Sequence, residues 1–156
     1  MKKYKCVATG GTFDILHLGH LDLLKKSFEV GSFVVIGLTS DSFARSTLNK
    51  DLRNSFESRY ENLRNFIRDN IKSTSYEISK LEEEFGPLMF SDNIDCLVVS
   101  SETSIKGEKI NNIRADKGLL PIEIVLVNMR LAQDGNPISS TRIRHKEIDP
   151  TGKVLS

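Results

Sequence analysis

The chain has 156 residues, enough for one compact domain over 1–156 that buries roughly two thirds of the surface its unfolded chain exposes. Lys and Arg number 22 against 21 for Asp and Glu, so a formal charge of +1 excludes a general field for steering onto nucleic acid or anionic lipid. Any anion must be met by local groups. The basic N-terminus MKKYKCVATGG has too short an apolar run for a signal h-region, and no later stretch suits a bilayer, so a soluble cytoplasmic protein is expected.

Apolar runs alternate with helical patterns, which indicates a parallel sheet wrapped by helices. The first strand is expected at Tyr4 to Thr9, broken by Gly10 and Gly11. Leu18, Leu21, Leu24 and Phe28 then recur at helical spacing, Lys25 and Lys26 turn outward, and Gly31 ends the helix. Phe33 to Leu38 reads as a strand buried on both faces. A polar stretch from Thr39 to Ser55 leads to a long charged helix, about Phe56 to Ile71, whose buried stripe is Leu63, Phe66 and Ile67. Tyr76 to Ile78 and Asp95 to Val99 are the next strands, and Ile105 to Lys117 a helix closed by Gly118. Ile122 to Val127 makes a fifth strand. The turn QDGNP (Gln133 to Pro137) precedes a short helix capped by Ser139 or Ser140. Cys6 and Cys96 lie in strand-like apolar runs without CxxC spacing and read as core residues. The architecture is an open, doubly wound α/β fold, with its ligand crevice outside the carboxyl ends of the strands.

Two segments on that edge carry chemistry. GGTFDILHLGH (Gly10 to His20) puts a strand-end glycine pair before a helix N-terminus, where free N–H groups favour an anion. His17 and His20, at i and i+3, share one face of the first turn and could stabilise charge on a phosphoryl oxygen. The bland alternative is a local cap and a satisfied core histidine. A zinc site would need three or four ligands, and only His145 remains among the histidines. ISSTRIR (Ile138 to Arg144) offers hydroxyls and N–H groups together, as the terminal phosphates of a nucleotide require, or else an ordinary N-cap. Arg142 and Arg144 cannot both face the crevice. The basic run RIRHK is too short, and lacks the aromatic residues, for a nucleic-acid surface.

Taken together, His17-Leu18-Gly19-His20 and Ile138 to Arg144 resemble the two signatures of the nucleotidylyltransferase superfamily, (T/H)xGH and ISSTxxR. VVSSET (Val98 to Thr103), KINNIRADKGLLPIEIV (Lys109 to Val125) and DGNPISSTRIR (Asp134 to Arg144) are similar to the archaeal and eukaryotic type of phosphopantetheine adenylyltransferase. The resemblance implies a Rossmann-like nucleotidylyltransferase fold. It also implies transfer of AMP from ATP to 4′-phosphopantetheine, the penultimate step of coenzyme A synthesis, with magnesium on the triphosphate and no nucleic acid or membrane partner. His17 and His20 would hold the ATP phosphates, with His20 on the α-phosphate. Ser140, Thr141 and Arg144 would hold the β- and γ-phosphates. Gly10, Gly11, Thr12 and Phe13 would line the junction of the two substrates, and Ser100 to Thr103 would meet the adenosine part.

A basic residue after the second strand is also implied. Arg45, Lys50 and Arg53 compete for that role, and Lys50 is chosen. Asp14 has two readings, a cap for the histidine helix, which is favoured, or a polar contact near the site; Arg59, on the next helix, could also reach the site but is expected to be solvated. The rival readings are a cytidylyltransferase acting on glycerol phosphate or phosphocholine, a flavin mononucleotide adenylyltransferase, and a nucleotide-binding sensor without turnover. A monomer is expected.

Overall fold

β1 (Tyr4–Gly11), β2 (Gly31–Thr39), β3 (Tyr76–Leu81), β4 (Cys96–Ser100) and β5 (Glu123–Val127) form one parallel sheet in the order β3-β2-β1-β4-β5. The computed structural model describes residues 2–101 and 104–156. α1 (Leu18–Val30), α2 (Phe56–Asn70), α3 (Ile105–Asp116) and the five-residue α4 (Ser140–Arg144) complete the framework. The expected doubly wound α/β arrangement is present.

Helices cover both faces of the sheet, which is why β2 is apolar and buried from Val34 to Leu38. On one face, Leu24 and Phe28 of α1 and Leu63 and Ile67 of α2 pack on Val34, Ile36 and Leu38. On the other, Ile110 of α3 and Met89, from the 3-10 turn Pro87–Phe90, pack on Ala8, Leu97 and Val99. α2 starts at the cap Ser55, whose hydroxyl accepts from Ser58 N–H. α3 ends one residue earlier than expected, and Gly118 follows at φ +75°, the left-handed conformation that glycine supplies. Cys96 is buried, and burial with the neighbouring Glu123 charge pushes its thiol up to about 12; Cys6 is only half-buried, and its thiol is raised as well.

One expectation is corrected, and two features add to what the sequence indicates. Gly10 and Gly11 do not break β1: they pair with Gly37 and Leu38 and carry the strand to the crevice edge. The polar stretch after β2 contains a π-helical turn, Phe43–Thr47, whose Phe43 and Ala44 are buried. The chain beyond α4 is also part of the fold. Ile148 is 0% exposed and packs with Ala132 and Ile138, and Pro150 carbonyl accepts the N–H of Leu18, the first residue of α1.

Gly31 shows how tightly helix and sheet are joined. It closes α1 by donating to Ser27 carbonyl and begins β2 with no loop between. A Cβ there would fall 2.5 Å from Val7 Cγ2 and 2.9 Å from Val7 Cβ, the branched and least movable part of that side chain. Gly31→Ala is expected to destabilise the protein by about 1–3 kcal/mol, through overpacking between β1 and the end of α1. A urea midpoint lowered without a change in m-value would show this.

Candidate active site

The sheet's five carboxyl ends open on one cavity of about 650 Å³, lined by Gly11 of β1, Thr39 of β2, Leu81 of β3, Ser100 of β4 and Val127 of β5. The chain reverses direction across the sheet between β1 and β4, the switch point at which parallel α/β folds leave a crevice. Gly10 and Gly37, paired side by side, form part of its floor. A Cβ on Gly10 would lie 3.0 Å from Gly37 carbonyl, so any larger residue would force β1 and β2 apart at the edge.

Beyond β1 the chain turns sharply at Phe13, which takes φ +49°, an unusual conformation for a bulky side chain. The turn is held by packing: the Phe13 ring is 2% exposed and its centroid lies 4.9 Å from that of His20. His17 then caps α1. Its Nδ1 accepts from Gly19 N–H at 3.0 Å, while His20 Nδ1 accepts from His17 N–H at 3.3 Å, and the two rings stack with centroids 3.8 Å apart. The cap expected of Asp14 therefore belongs to His17. Asp14 instead accepts from Arg53 N–H, Asn54 N–H and Arg144 Nη1.

This capping geometry decides the chemistry of both rings. With Nδ1 accepting a backbone hydrogen, the proton of each neutral imidazole sits on Nε2. Burial lowers the His17 pKa from 6.5 to about 4; burial, and then the neighbouring His17, hold His20 well below the ordinary value. Both residues line the cavity. At neutral pH the cavity thus presents two uncharged imidazoles with their protons on Nε2.

The second motif reaches the same cavity from the far end of the chain. Ser139 caps α4, its hydroxyl accepting from Arg142 N–H at 3.2 Å. Ser140 Oγ donates to Ile15 carbonyl at 3.0 Å, tying α4 to the turn before the histidines. Arg144 Nη2 donates to Thr141 Oγ1 at 3.0 Å. Arg142 turns away to Asp134 and Glu147, so one arginine of the pair faces the cavity, as expected.

Among the basic residues after β2, Lys50 lines the cavity and Arg45 and Arg53 do not. Arg59 reverses the expectation of a solvated side chain. It is 0% exposed and donates to Thr12 carbonyl at 2.8 Å, Asn54 carbonyl at 3.2 Å and Asp41 Oδ1 at 2.8 Å. Burial alone would raise the Asp41 pKa; the hydrogen bonds from Arg59 and from Phe56 N–H, with the charges of Arg59 and Arg45, together outweigh it and hold that carboxyl below its ordinary value. Lys106, in the first turn of α3, also lines the cavity, and burial lowers its pKa. It was not among the residues expected at the site. The signal was its place in the first turn of a helix that follows a parallel strand, which puts it on the crevice edge.

A family model described as cytidylyltransferase-like matches residues 8–146, which includes both motifs. The chain belongs to that family. It is 40% identical over 154 residues to the phosphopantetheine adenylyltransferase of Methanothermobacter thermautotrophicus, covering 99% of this chain and 92% of the relative. The protein of that name from Methanosarcina acetivorans is 44% identical over 151 residues, 95% of this chain and 94% of its own. These identities place the chain among the phosphopantetheine adenylyltransferases of the cytidylyltransferase-like family. A crystal structure of a protein of unknown function from Archaeoglobus fulgidus superposes with a TM-score of 0.69 at 33% identity, covering 89% of this chain and 100% of that one.

This cytidylyltransferase-like cavity has an apolar side as well. Leu81, Phe85, Leu88, Met89 and Ile110 form a wall beyond the two motifs, suited to an uncharged chain rather than to an anion. Of the Ser100 to Thr103 segment, Ser100 lines the cavity, while Glu102 and Thr103 lie outside the described residues. Among the described residues, no three His, Cys, Asp or Glu side chains are grouped to hold a metal ion, and no helix is long and apolar enough to cross a membrane.

The neutral histidines give the protein a pH dependence with a defined sign. A group with a folded pKa near 4 and an unfolded value of 6.5 binds its proton more tightly when unfolded, so stability present above pH 6.5 is lost as the pH falls toward 4. His17 alone contributes on the order of 2 kcal/mol of this loss by pH 5. Urea midpoints measured between pH 7 and 5 should fall, and His17→Asn, which keeps a capping oxygen without a titrating ring, should flatten the slope.

Proposed function

We propose that this chain joins ATP and 4′-phosphopantetheine to give dephospho-coenzyme A and pyrophosphate. The observation that carries the reading is the meeting of its two motifs at one cavity, where Ser140 hydrogen-bonds Ile15 across 125 positions of sequence. Identity near 40% to relatives named for this activity supports the choice of substrates.

In the transfer, an oxygen of the phosphopantetheine phosphate attacks the α-phosphorus of ATP. One P–O bond forms there as the bond to the β-phosphate breaks, and pyrophosphate leaves with the electron pair. The attacking phosphate is already ionised at neutral pH, so the protein supplies neither nucleophile nor base. Its work is alignment and stabilisation of charge. His20 Nε2–H donates to the α-phosphate, where charge grows in the transition state, with His17 beside it. Thr141, Ser140 and Arg144 hold the β- and γ-phosphates and then the departing pyrophosphate. Lys50, and Lys106 with it, add positive charge that a chain of net charge +1 cannot provide as a general field. Gly10, Gly11, Thr12 and Phe13 form the junction at which the two substrates meet. The apolar wall from Leu81 to Ile110 takes the uncharged pantetheine arm. Magnesium enters on the triphosphate, as part of the substrate.

Purified protein with magnesium, ATP and 4′-phosphopantetheine is expected to release pyrophosphate, and with CTP and glycerol phosphate it is not. The reverse result would assign the other transfer, and release with neither pair would favour a nucleotide sensor. His20→Ala is expected to lower kcat by about two orders of magnitude or more while ATP affinity stays within several-fold, because its hydrogen bond strengthens as charge develops. A comparable loss in ATP binding with kcat unchanged would contradict that role.

A further inference from the structure

Asp14 is 4% exposed, and its carboxylate is satisfied from two directions. From one side, the backbone N–H groups of Arg53 and Asn54 donate at 3.0 Å each, and Asn54 Nδ2 adds contacts to Asp14 carbonyl at 2.9 Å and to Oδ1 at 3.3 Å. From the other, Arg144 Nη1 donates to Oδ2 at 2.9 Å, in an ion pair whose side chains are 5% and 2% exposed. Arg144 Nη2 is anchored separately on Thr141 Oγ1. The guanidinium is therefore held at two points, on the wall of the cavity, before any ligand arrives.

An anion facing a polyphosphate cannot be one of its ligands, because like charges repel at close range. Asp14 can act on the phosphates only through what it holds. A free arginine side chain carries many rotamers that binding must select among, and fixing the planar fork beforehand removes that loss. We propose that Asp14 is a positioning residue: it orients the Arg144 guanidinium for the nucleotide's terminal phosphates, and it does so through the buried ion pair. The inference rests on the adenylyltransferase reading above.

The two are tested separately by steady-state kinetics on the wild type, Asp14→Asn, Arg144→Gln and the double variant, with KM measured for each substrate. An inactive wild type would defeat the adenylyltransferase reading itself. With an active wild type, Asp14→Asn is expected to raise the ATP KM about tenfold while the phosphopantetheine KM stays within about threefold, and the double variant to match Arg144→Gln within about threefold. Merely structural damage would lower kcat through a smaller active fraction and spare the ATP KM, which would overturn the proposal. Additive losses in the double variant would overturn it as well.

Asn54→Ala provides a second route should Asp14→Asn not fold. It removes the side-chain contacts from the loop and leaves the ion pair, so the ATP KM is expected to stay within about threefold of wild type. A rise equal to that of Arg144→Gln would place Asp14's effect in the loop and sink the idea.

Discussion

Arg59, a charged side chain with no access to solvent, joins the three segments that frame the cavity. Desolvating a guanidinium is costly, and the cost is offset only when its donors are filled with good geometry. Here Thr12 carbonyl comes from the exit of β1, Asp41 from the exit of β2, and Asn54 carbonyl from the approach to α2. Asn54 in turn binds Asp14, and Asp14 binds Arg144. One continuous run of hydrogen bonds thus links the loop that carries Lys50 to the last helix of the motif set. Removing any member would leave a buried polar group unpaired, so the network fixes a single arrangement of loops that have little secondary structure of their own.

The division of labour in the cavity follows from burial. Histidines stacked and partly withdrawn from water cannot both carry charge, so both are neutral and each keeps its proton on Nε2. Positive charge comes instead from Arg144, Lys50 and Lys106, whose long stems bring it in from three separate elements. In the proposed transfer, fixed neutral donors at the growing charge would act without the reorganisation that a mobile ion or water needs. The apolar wall opposite gives the same cavity a second character, so that a charged and an uncharged part of the ligands can be accommodated together.

Much of the fold is legible in the sequence, and the departures from it share one cause. The spacing of Leu24 and Phe28, the run from Val34 to Leu38 and the stop at Gly118 are short-range signals, and each element formed close to where they indicate. At Asp14 and Arg59 only the favoured readings, a carboxylate as cap and an arginine on a charged helix as solvated, fail, because distant partners override the local rules. Arg144 lies 130 positions from Asp14, and Thr12 lies 47 from Arg59. Lys106 went unnoticed for a similar reason. Its place in the first turn of the helix after β4 puts it on the crevice edge, but only the packing of α3 shows that its side chain lines the cavity.

By itself the sequence determined the doubly wound α/β class, the order of the elements, the two motifs and the side of the sheet on which they fall. Those properties depend on hydrophobic period, glycine placement and residue spacing, all of which act over a few positions. Tertiary structure alone decided which residue caps α1, which nitrogen of each imidazole bears the proton, which of three basic residues after β2 reaches the cavity, and what holds Arg144 in place. Each of these is a choice among hydrogen-bond partners or positions, and a buried polar group takes the partner that folding delivers to it, however far away in the chain.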